Sequence, residues 1–266
     1  MLAALTTVLC GCSSDNNDGV IGPGASTGGS INVGTGGSGI QVPVGGNTGT
    51  PNGGAGGAEC NPKPIGLLRD FKAAHPDFEY VVGDDRGIVG PDLGPNKKPV
   101  FVGTGHPTVH TAAEFDQWYS DVAGTNMTSQ FELPFTTAAN GNLVYDNQNF
   151  FPLDGQGFGN ENNQHNFHFT YELHMEFKYK GGEVFTFRGD DDVFVFVNNK
   201  LAIDLGGVHT AQTGQLNLDQ AAGMLGISPG NTYPIDFFQA ERHTSQSSFR
   251  LETSLAFSNC TPIIVR

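Results

Sequence analysis

The stretch RGDDDVFVFVNNKLAIDLGG, from Arg188 to Gly207, decides how the chain folds. Its three aspartates are followed at once by five apolar residues, 193–197, which predict a buried strand. Asn198 and Asn199 then supply a two-residue turn, because asparagine tolerates the positive φ that such hairpin turns require. The stretch therefore predicts a β-hairpin with an acidic cluster at the start of its first strand.

The acidic cluster consists of Asp190, Asp191 and Asp192. Adjacent carboxylates beside a buried strand repel one another and raise each other's pKa, so such a run usually requires a cation that neutralises it. Calcium, which prefers oxygen ligands, is the leading candidate. An acidic turn that water solvates is the alternative that the residues leave open.

Strict alternation marks residues 167–179, where aromatic, leucine and methionine side chains alternate with polar ones. A period of two predicts a strand with one buried and one solvated face. We expect the solvated face to carry His168, Glu172 and His174. Neighbours on one face of a strand are about 6.7 Å apart, too far for two of them alone to share a metal ion.

One helix is predicted over Thr111 to Val122, where Thr111 and Glu114 form a capping box. Trp118 falls on its apolar face, which favours a place in the core over stacking against a sugar. Leu216 and Leu218 begin a strand-like piece. Many short strands, frequent turn signals and one short helix predict an all-β fold, an antiparallel β-sandwich or a partly closed barrel.

Four ordered blocks resemble the fibro-slime domain, a branch of the carbohydrate-binding superfamily named after anthrax protective antigen, the PA-fourteen (PA14) family. The resemblance covers roughly residues 64–257, and PA-fourteen domains share the β-sandwich architecture. The blocks are FFPLDGQGFG (150–159), HNFHFTYELHMEF (165–177), RGDDDVFVFVNNKLAIDLGGVH (188–209) and PGNTYPIDFFQAERHT (229–244).

The resemblance also implies a site. In sugar-binding members of the family, an Asp-Asp pair and a second loop hold calcium, and the calcium coordinates sugar hydroxyls. The pair falls here on Asp190 and Asp191, and the second loop is 241–248. This loop lacks the asparagine of those relatives, so Glu241, His243 or a serine hydroxyl must replace it, and we assign Glu241 as the metal ligand. The further residues that we assign to ligand binding are Asp192, Asp204, His209, Arg242 and His243.

The net charge restricts the possible partners. Thirteen Lys and Arg residues against 27 Asp and Glu give a formal charge of −14, which speaks against nucleic acid or an anionic lipid surface. The favoured function is calcium-dependent binding of a glycan or polysaccharide in adhesion. A structural surface or matrix protein, in which calcium only rigidifies loops, is the alternative. An enzyme is disfavoured, since no glycosidase-like carboxylate pair or nucleophile elbow is recognisable.

The first twelve residues resemble a bacterial lipoprotein signal. An apolar run, 2–9, is too short to span a bilayer and leads into Leu-Cys-Gly-Cys, which makes Cys12 the expected lipidation site. A plain secretory signal is the alternative. We expect an exported lipoprotein of the outer membrane or cell surface that touches the membrane only through its lipid anchor.

Residues 13–59 are rich in Gly, Ser, Thr and Asn, with no aromatic residue, Lys or Arg. Such a segment buries too little apolar surface to fold, so a disordered tether with a reach of roughly 40 Å is expected. The β domain follows over 60–266. Cys60 and Cys260 bracket it and predict a disulfide in an exported protein, with free thiols or a metal pair as alternatives.

Substitution of Cys12 tests the anchor. Cys12→Ser removes the acceptor of the lipid, so we expect the variant to move from the membrane fraction to the soluble fraction on cell fractionation. Cys10→Ser, two residues away, is the matched control and should remain with the membranes. A Cys12→Ser variant that still sediments with the membranes would contradict lipidation at this residue.

Overall fold

The computed structural model describes residues 63–258. The predicted signal segment with Cys12, the tether 13–59, and the cysteines Cys60 and Cys260 lie outside the described residues. The expected lipidation and disulfide therefore stay predictions.

The described part consists mainly of β-strands. The strands are Ile65–Asp70 (β1), Gly83–Asp84 (β2), Met127–Glu132 (β3), Thr136–Thr137 (β4), Leu143–Asn147 (β5), Phe169–Lys178 (β6), Val184–Gly189 (β7), Asp192–Val197 (β8), Lys200–Leu205 (β9), Gly207–Val208 (β10), Gln212–Asn217 (β11), Thr232–Glu241 (β12), Phe249–Thr253 (β13) and Ala256–Phe257 (β14). The helices are Ala112–Phe115 (α1) and Leu218–Leu225 (α2). No helix in this part of the chain is long and apolar enough to span a membrane.

The strands form two large antiparallel sheets. The first has the order β3-β1-β6-β12-β8-β9, and β14 pairs with the end of β6. The second has the order β11-β7-β13-β5-β4, and β2 pairs separately with β10. The predicted all-β antiparallel sandwich is confirmed, in its open form and not as a closed barrel.

The core lies between the two sheets, because alternate side chains of β6, β8 and β12 face the second sheet. Large aromatic residues dominate it, and edge-to-face contacts such as that of Phe237 on β12 with Phe249 on β13, at 5.4 Å between ring centroids, join the layers. Fully buried members include Phe169, Leu173, Phe177, Phe185, Phe187, Val193, Val195, Phe237, Phe249 and Leu251.

The predicted hairpin is confirmed. Asn198 and Asn199 have φ of 51° and 64°, and Val197 pairs with Lys200 across them. Positive φ at both central residues is the geometry of the tight turns that match strand twist. The sequence pair Asn-Asn therefore sets the register of β8 and β9 next to the turn, and a bulge at Ala202 shifts the register beyond it.

The expectation of a solvated face on β6 is wrong. His168, Glu172 and His174 are all buried, because the segment between β1 and β3 packs over this face as a third layer. The same third layer explains why β8 is apolar throughout. This strand is covered on both faces, and both faces therefore carry apolar side chains. The covering layer and the sheet meet in a second core of Ile88, Val89, Val109, Phe115, Trp118, Tyr119, Phe194, Phe196, Phe238 and Ala240.

Paired charges make this burial possible. Arg69 Nη1 donates to Glu172 Oε2 at 2.7 Å, and Lys98 forms an ion pair with the other carboxylate oxygen. His174 bridges Glu172 and Asp236, at 2.6 and 2.7 Å. Burial raises the pKa of Glu172, but the His174 hydrogen bond and the charges of Lys98 and Arg69 outweigh it, so the pKa lies below its usual value.

Helix α1 is shorter than predicted and ends at Phe115, although the Thr111 cap is present and accepts from the Glu114 N–H at 3.3 Å. Trp118 lies beyond the helix and is fully buried, which confirms its place in the core. Helix α2 replaces the strand-like piece expected at Leu218. Its signals are in the sequence: Asn217 caps its start, and Gly226, with φ of 65°, ends it.

The buried network yields a stability prediction. Glu172→Gln removes the buried charge that Arg69 and Lys98 share, and breaking this buried ion-pair network should lower the free energy of unfolding by about 3–5 kcal/mol. Glu176→Gln, on the same strand but exposed, is the control and should change it by less than about 0.5 kcal/mol. Urea unfolding measures the free energy of unfolding of both variants. Equal losses in the two variants would show that the network around Glu172 does not stabilise the fold.

Candidate cation and ligand site

The site forms where β7 ends and β8 begins. Asp190 and Asp191 occupy this junction, and the loop that follows β12 lies directly against it. Gly189 makes the approach possible, because a Cβ atom there would collide with the carbonyl oxygen of Ser248. Cross-strand pairing of Ala240 with Asp192 fixes the position of the loop relative to the aspartates.

Asp190 has one satisfied and one free carboxylate oxygen. Ser248 N donates to Oδ2 at 2.9 Å, whereas Oδ1 is buried without a hydrogen-bond partner. Gln239 Nε2 donates to the backbone carbonyl of Asp190 at 3.1 Å and so fixes the main chain. Burial raises the pKa of Asp190.

Asp191 is held by two backbone amides. His209 N donates to Oδ1 at 3.0 Å, and Arg242 N donates to Oδ2 at 3.1 Å. Burial and the neighbouring charge of Asp192 nevertheless raise the pKa of Asp191 to about 7. The carboxylate therefore joins the two loops that follow β10 and β12 to the turn between β7 and β8.

Glu241 is the most unusual residue of the site. The side chain is fully buried at the end of β12, and neither carboxylate oxygen has a hydrogen-bond partner. Burial and the charge of Asp191 raise the pKa of Glu241 well above its usual value, although the nearby Ser247 hydroxyl opposes the rise. Since an isolated buried carboxylate is very costly, Glu241 requires either a proton or a cation beside it.

The acidic residues fit a cation by their charge and their free oxygens. Within residues 63–258, no group of three or more His, Cys, Asp or Glu side chains could by itself hold a metal ion. Calcium accepts six to eight oxygen ligands, including backbone carbonyls and water. Asp190 and Glu241 could therefore supply only part of a coordination sphere, and hydroxyl or carbonyl oxygens from the loop 242–248 are candidates for the rest.

Asp192 and Arg242, which were assigned to ligand binding from the sequence, do not line the clefts beside Asp190. Arg242 Nε donates to Asp192 Oδ2 at 2.6 Å, and both side chains are completely buried. Arg242 Nη1 donates to the carbonyls of Asp77 and Thr108, at 3.0 and 2.6 Å, and the guanidinium lies 4.5 Å from the Trp118 ring centroid. This pair is out of reach of a ligand and anchors the covering layer to the sheet.

Of the other three residues assigned to ligand binding, Asp204 lies outside the site, whereas His209 and His243 belong to it. Asp204 accepts from the amides of Gly87 and Gly206, at 2.8 and 3.0 Å, and does not line the clefts beside the aspartates. His209 and His243 are half-buried and line the smaller of these clefts. The structure therefore brings together Asp190, Asp191, Glu241 and the two histidines.

Two clefts open beside Asp190. The larger encloses about 490 Å³ and the smaller about 160 Å³, and both are lined by Asp190, Ser245 and Gln246. The larger cleft also has Gln148, Asn149, Phe151, Gln164, His165, Phe167, Arg188, Ala211, Ser247 and Ser248 in its walls. The smaller has Val82, Asp191, Val208, His209, Thr210 and His243.

Sequence reasoning missed the walls of the larger cleft. Phe151 and His165 stack in parallel with ring centroids 3.9 Å apart, and Phe167 contacts Phe151 edge to face at 5.0 Å. We call Phe151, His165 and Phe167 the aromatic wall. The blocks 150–159 and 165–177 contained these residues, but no local pattern shows that they meet the loop 245–248.

The raised pKa values predict how stability depends on pH without calcium. Between about pH 4 and 7 the folded state keeps protons on Glu241 and Asp191 that the unfolded state releases. The contribution of these two residues to the free energy of unfolding therefore falls as the pH rises. Glu241→Gln removes the charge, and at pH 8 in a chelator it should raise the free energy of unfolding by about 1–3 kcal/mol. Urea unfolding at pH 5 and 8 measures this.

Glu183→Gln is the matched control, because Glu183 is also buried but accepts from the amides of Lys180 and Gly181, at 2.6 and 2.8 Å. It should not stabilise the protein at pH 8. A loss of stability in Glu241→Gln equal to that of the control would show that Glu241 has partners in solution.

Comparison with known proteins identifies the family. Protein psiR of Dictyostelium discoideum is 43% identical over 202 residues, which are 69% of this chain and 20% of that protein. Protein psiD of the same organism is 42% identical over 200 residues, 68% of this chain and 39% of that protein, so the chain spans well under half of either relative. The solved structure of a PA14 sugar-binding domain from an RTX adhesin is 13% identical, with a TM-score of 0.28, over 73% of this chain and 93% of that one. The PA14 domain family model matches residues 126–265, over half of the chain, and the chain therefore belongs to the PA14 domain family.

Proposed function

We propose that the protein is a calcium-dependent carbohydrate-binding module that acts in adhesion at the cell surface. The observation that carries this proposal is Glu241, whose two buried oxygens lack hydrogen-bond partners although the charges of Asp190 and Asp191 lie close by. Of these residues, Asp190 lines two open clefts. A cation at this point would neutralise the charge of Glu241, which forms no ion pair within residues 63–258. Family membership agrees with this reading of the site.

The residues around the cation would have distinct tasks. Asp190 Oδ1 and the Glu241 oxygens are free to bind it, whereas Asp191 already accepts two amide hydrogens and also positions the loops. Calcium supplies open coordination positions that the hydroxyl groups of a sugar can fill. Because Asp190 lines both clefts, a sugar bound there would lie in one of them.

The lining of the larger cleft suits a sugar. Amide side chains such as Gln148 and Asn149 both donate and accept hydrogen bonds, as sugar hydroxyls require. The aromatic wall offers an apolar surface for the C–H groups of a sugar ring. A few placed polar groups with aromatic neighbours are typical of small-molecule sites.

The cellular setting is part of the proposal. The protein would be exported as an outer-membrane or cell-surface lipoprotein anchored through Cys12, and the tether 13–59 would hold the domain away from the membrane. Its partner would be a glycan or polysaccharide, bound without turnover. The acidic net charge of −14 favours such a partner over nucleic acid.

A second candidate function follows from the bonds of Asp191. Since this carboxylate already ties the loops at His209 and Arg242 to the turn, calcium could serve only to rigidify them in a structural surface or matrix protein. Both functions predict that calcium stabilises the folded protein. They differ in glycan binding, which only the first requires.

Asp190→Asn tests the proposed site. Calcium at a hundredfold excess over its dissociation constant should stabilise the wild type by about 2.7 kcal/mol, and so raise the melting temperature by roughly 5–10 °C. Asp190→Asn keeps the shape and an acceptor for Ser248 N but removes the charge, so it should lose most of this rise and any calcium-dependent glycan binding. Differential scanning calorimetry and a glycan array, each with and without calcium, measure the two effects.

Two variants complete this experiment. Asp92→Asn, at an exposed ion pair with Lys200, should behave like the wild type. Asp192→Asn should lower the melting temperature even in a chelator, because it weakens the buried pair with Arg242. Retention of the full calcium effect by Asp190→Asn would remove Asp190 from the site, and a calcium effect without any glycan binding would favour the structural role.

A further inference from the structure

A positive charge that faces Asp190 and Asp146 without forming an ion pair to either lines the larger cleft. Arg188, on β7, is exposed, and within residues 63–258 it donates no hydrogen bond and forms no ion pair. The neighbouring strand offers a direct comparison, because Arg250 on β13 pairs with Arg188 in register. Arg250 is held by Asp146 and Glu252, whereas the guanidinium of Arg188 is left available.

Arg188 lies in the same cleft as Asp190 and the aromatic wall. Of the other acidic groups near this wall, Asp154 accepts from Asn166 N at 2.7 Å and lies 2.6 Å from His165 Nδ1. Asp154 is therefore already bonded, and Asp146, which also faces Arg188, is paired with Arg250 and accepts from Gln148 Nε2 at 2.7 Å. Once calcium neutralises Asp190, Arg188 gives the cleft a local positive charge. A guanidinium in this position matches the planar geometry of a carboxylate, which it can bind through two parallel hydrogen bonds.

We propose that the larger cleft binds an acidic sugar, a hexuronate, with its carboxylate on Arg188 and its ring against the aromatic wall. This inference rests on the proposed function, because without calcium the charge of Asp190 would repel an anion. It goes beyond that function by naming the class of glycan. A neutral sugar would leave the guanidinium with water as its only partner.

The test compares acidic sugars with their neutral counterparts. The probes are trisaccharides of galacturonate, glucuronate and mannuronate, each also with its carboxyl groups reduced to alcohols. In calcium, isothermal titration should show that the wild type binds at least one acidic trisaccharide about ten- to a hundredfold more tightly than the reduced form, as expected for a charge-assisted pair. High salt should reduce this preference.

Substitutions at Arg188 and at Arg250 show whether Arg188 causes the preference for the acidic trisaccharide. Arg188→Gln should abolish the preference for the acidic form and keep the calcium-dependent rise in melting temperature, because Arg188 is not a calcium ligand. Arg188→Lys should keep part of the preference, since a lysine offers charge without the bidentate geometry. Arg250→Gln, whose arginine lies outside the cleft, should keep all of it.

The outcomes separate this inference from the proposed function. Equal binding of acidic and reduced trisaccharides, with calcium dependence, would overturn the acidic-sugar assignment and leave the proposed function intact. A calcium-dependent rise in melting temperature without binding of any acidic probe would also overturn it and favour loop rigidification. Absence of both calcium effects would overturn the proposed function and this inference together.

Discussion

The buried ion pair of Arg242 and Asp192 is the interaction on which the rest of the structure depends. The Arg242 guanidinium donates hydrogen bonds to Asp192 and to the carbonyls of Asp77 and Thr108. It also lies over the ring of Trp118, so this one side chain connects the main sheet to the covering layer. Burial of a guanidinium is tolerated only when its N–H groups have acceptors, which is the case here. The backbone N–H of the same residue holds Asp191, which extends the constraint into the site.

This arrangement leaves the charges around the site unbalanced. Four carboxylates lie close together, at Asp190, Asp191, Asp192 and Glu241, and the guanidinium of Arg242 is bonded to only one of them, Asp192. The cost appears as raised pKa values at Glu241 and Asp191. Proteins accept such local costs where function requires them, and here a bound cation would remove the cost. In the proposed function the acidic run serves two purposes: Asp192 stabilises the fold through Arg242, and Asp190 and Asp191 would serve the bound cation.

The covering layer also explains why the two faces of the main sheet differ. One face packs against the second sheet through aromatic residues, and the other buries a polar network around Glu172. Because this network is paired, the polar face stays ordered under its cover instead of facing water. The clefts open at the edge of this assembly, where the loops 148–167 and 242–248 meet the turn at Asp190.

Local patterns in the sequence determined the β class, the Asn198-Asn199 hairpin, the Thr111 cap and the position of the acidic run, because each depends on neighbours within a few residues. The Asn217 and Gly226 caps of the second helix were equally local, but the alternation of Leu216 with Leu218 outweighed them. Only the tertiary structure decided that both faces of β6 are buried, that Arg242 points inward, that Glu241 lacks partners and that Arg188 lines a cleft. These properties depend on segments tens of residues apart in the chain, and the same residue types would be solvated if those segments packed elsewhere.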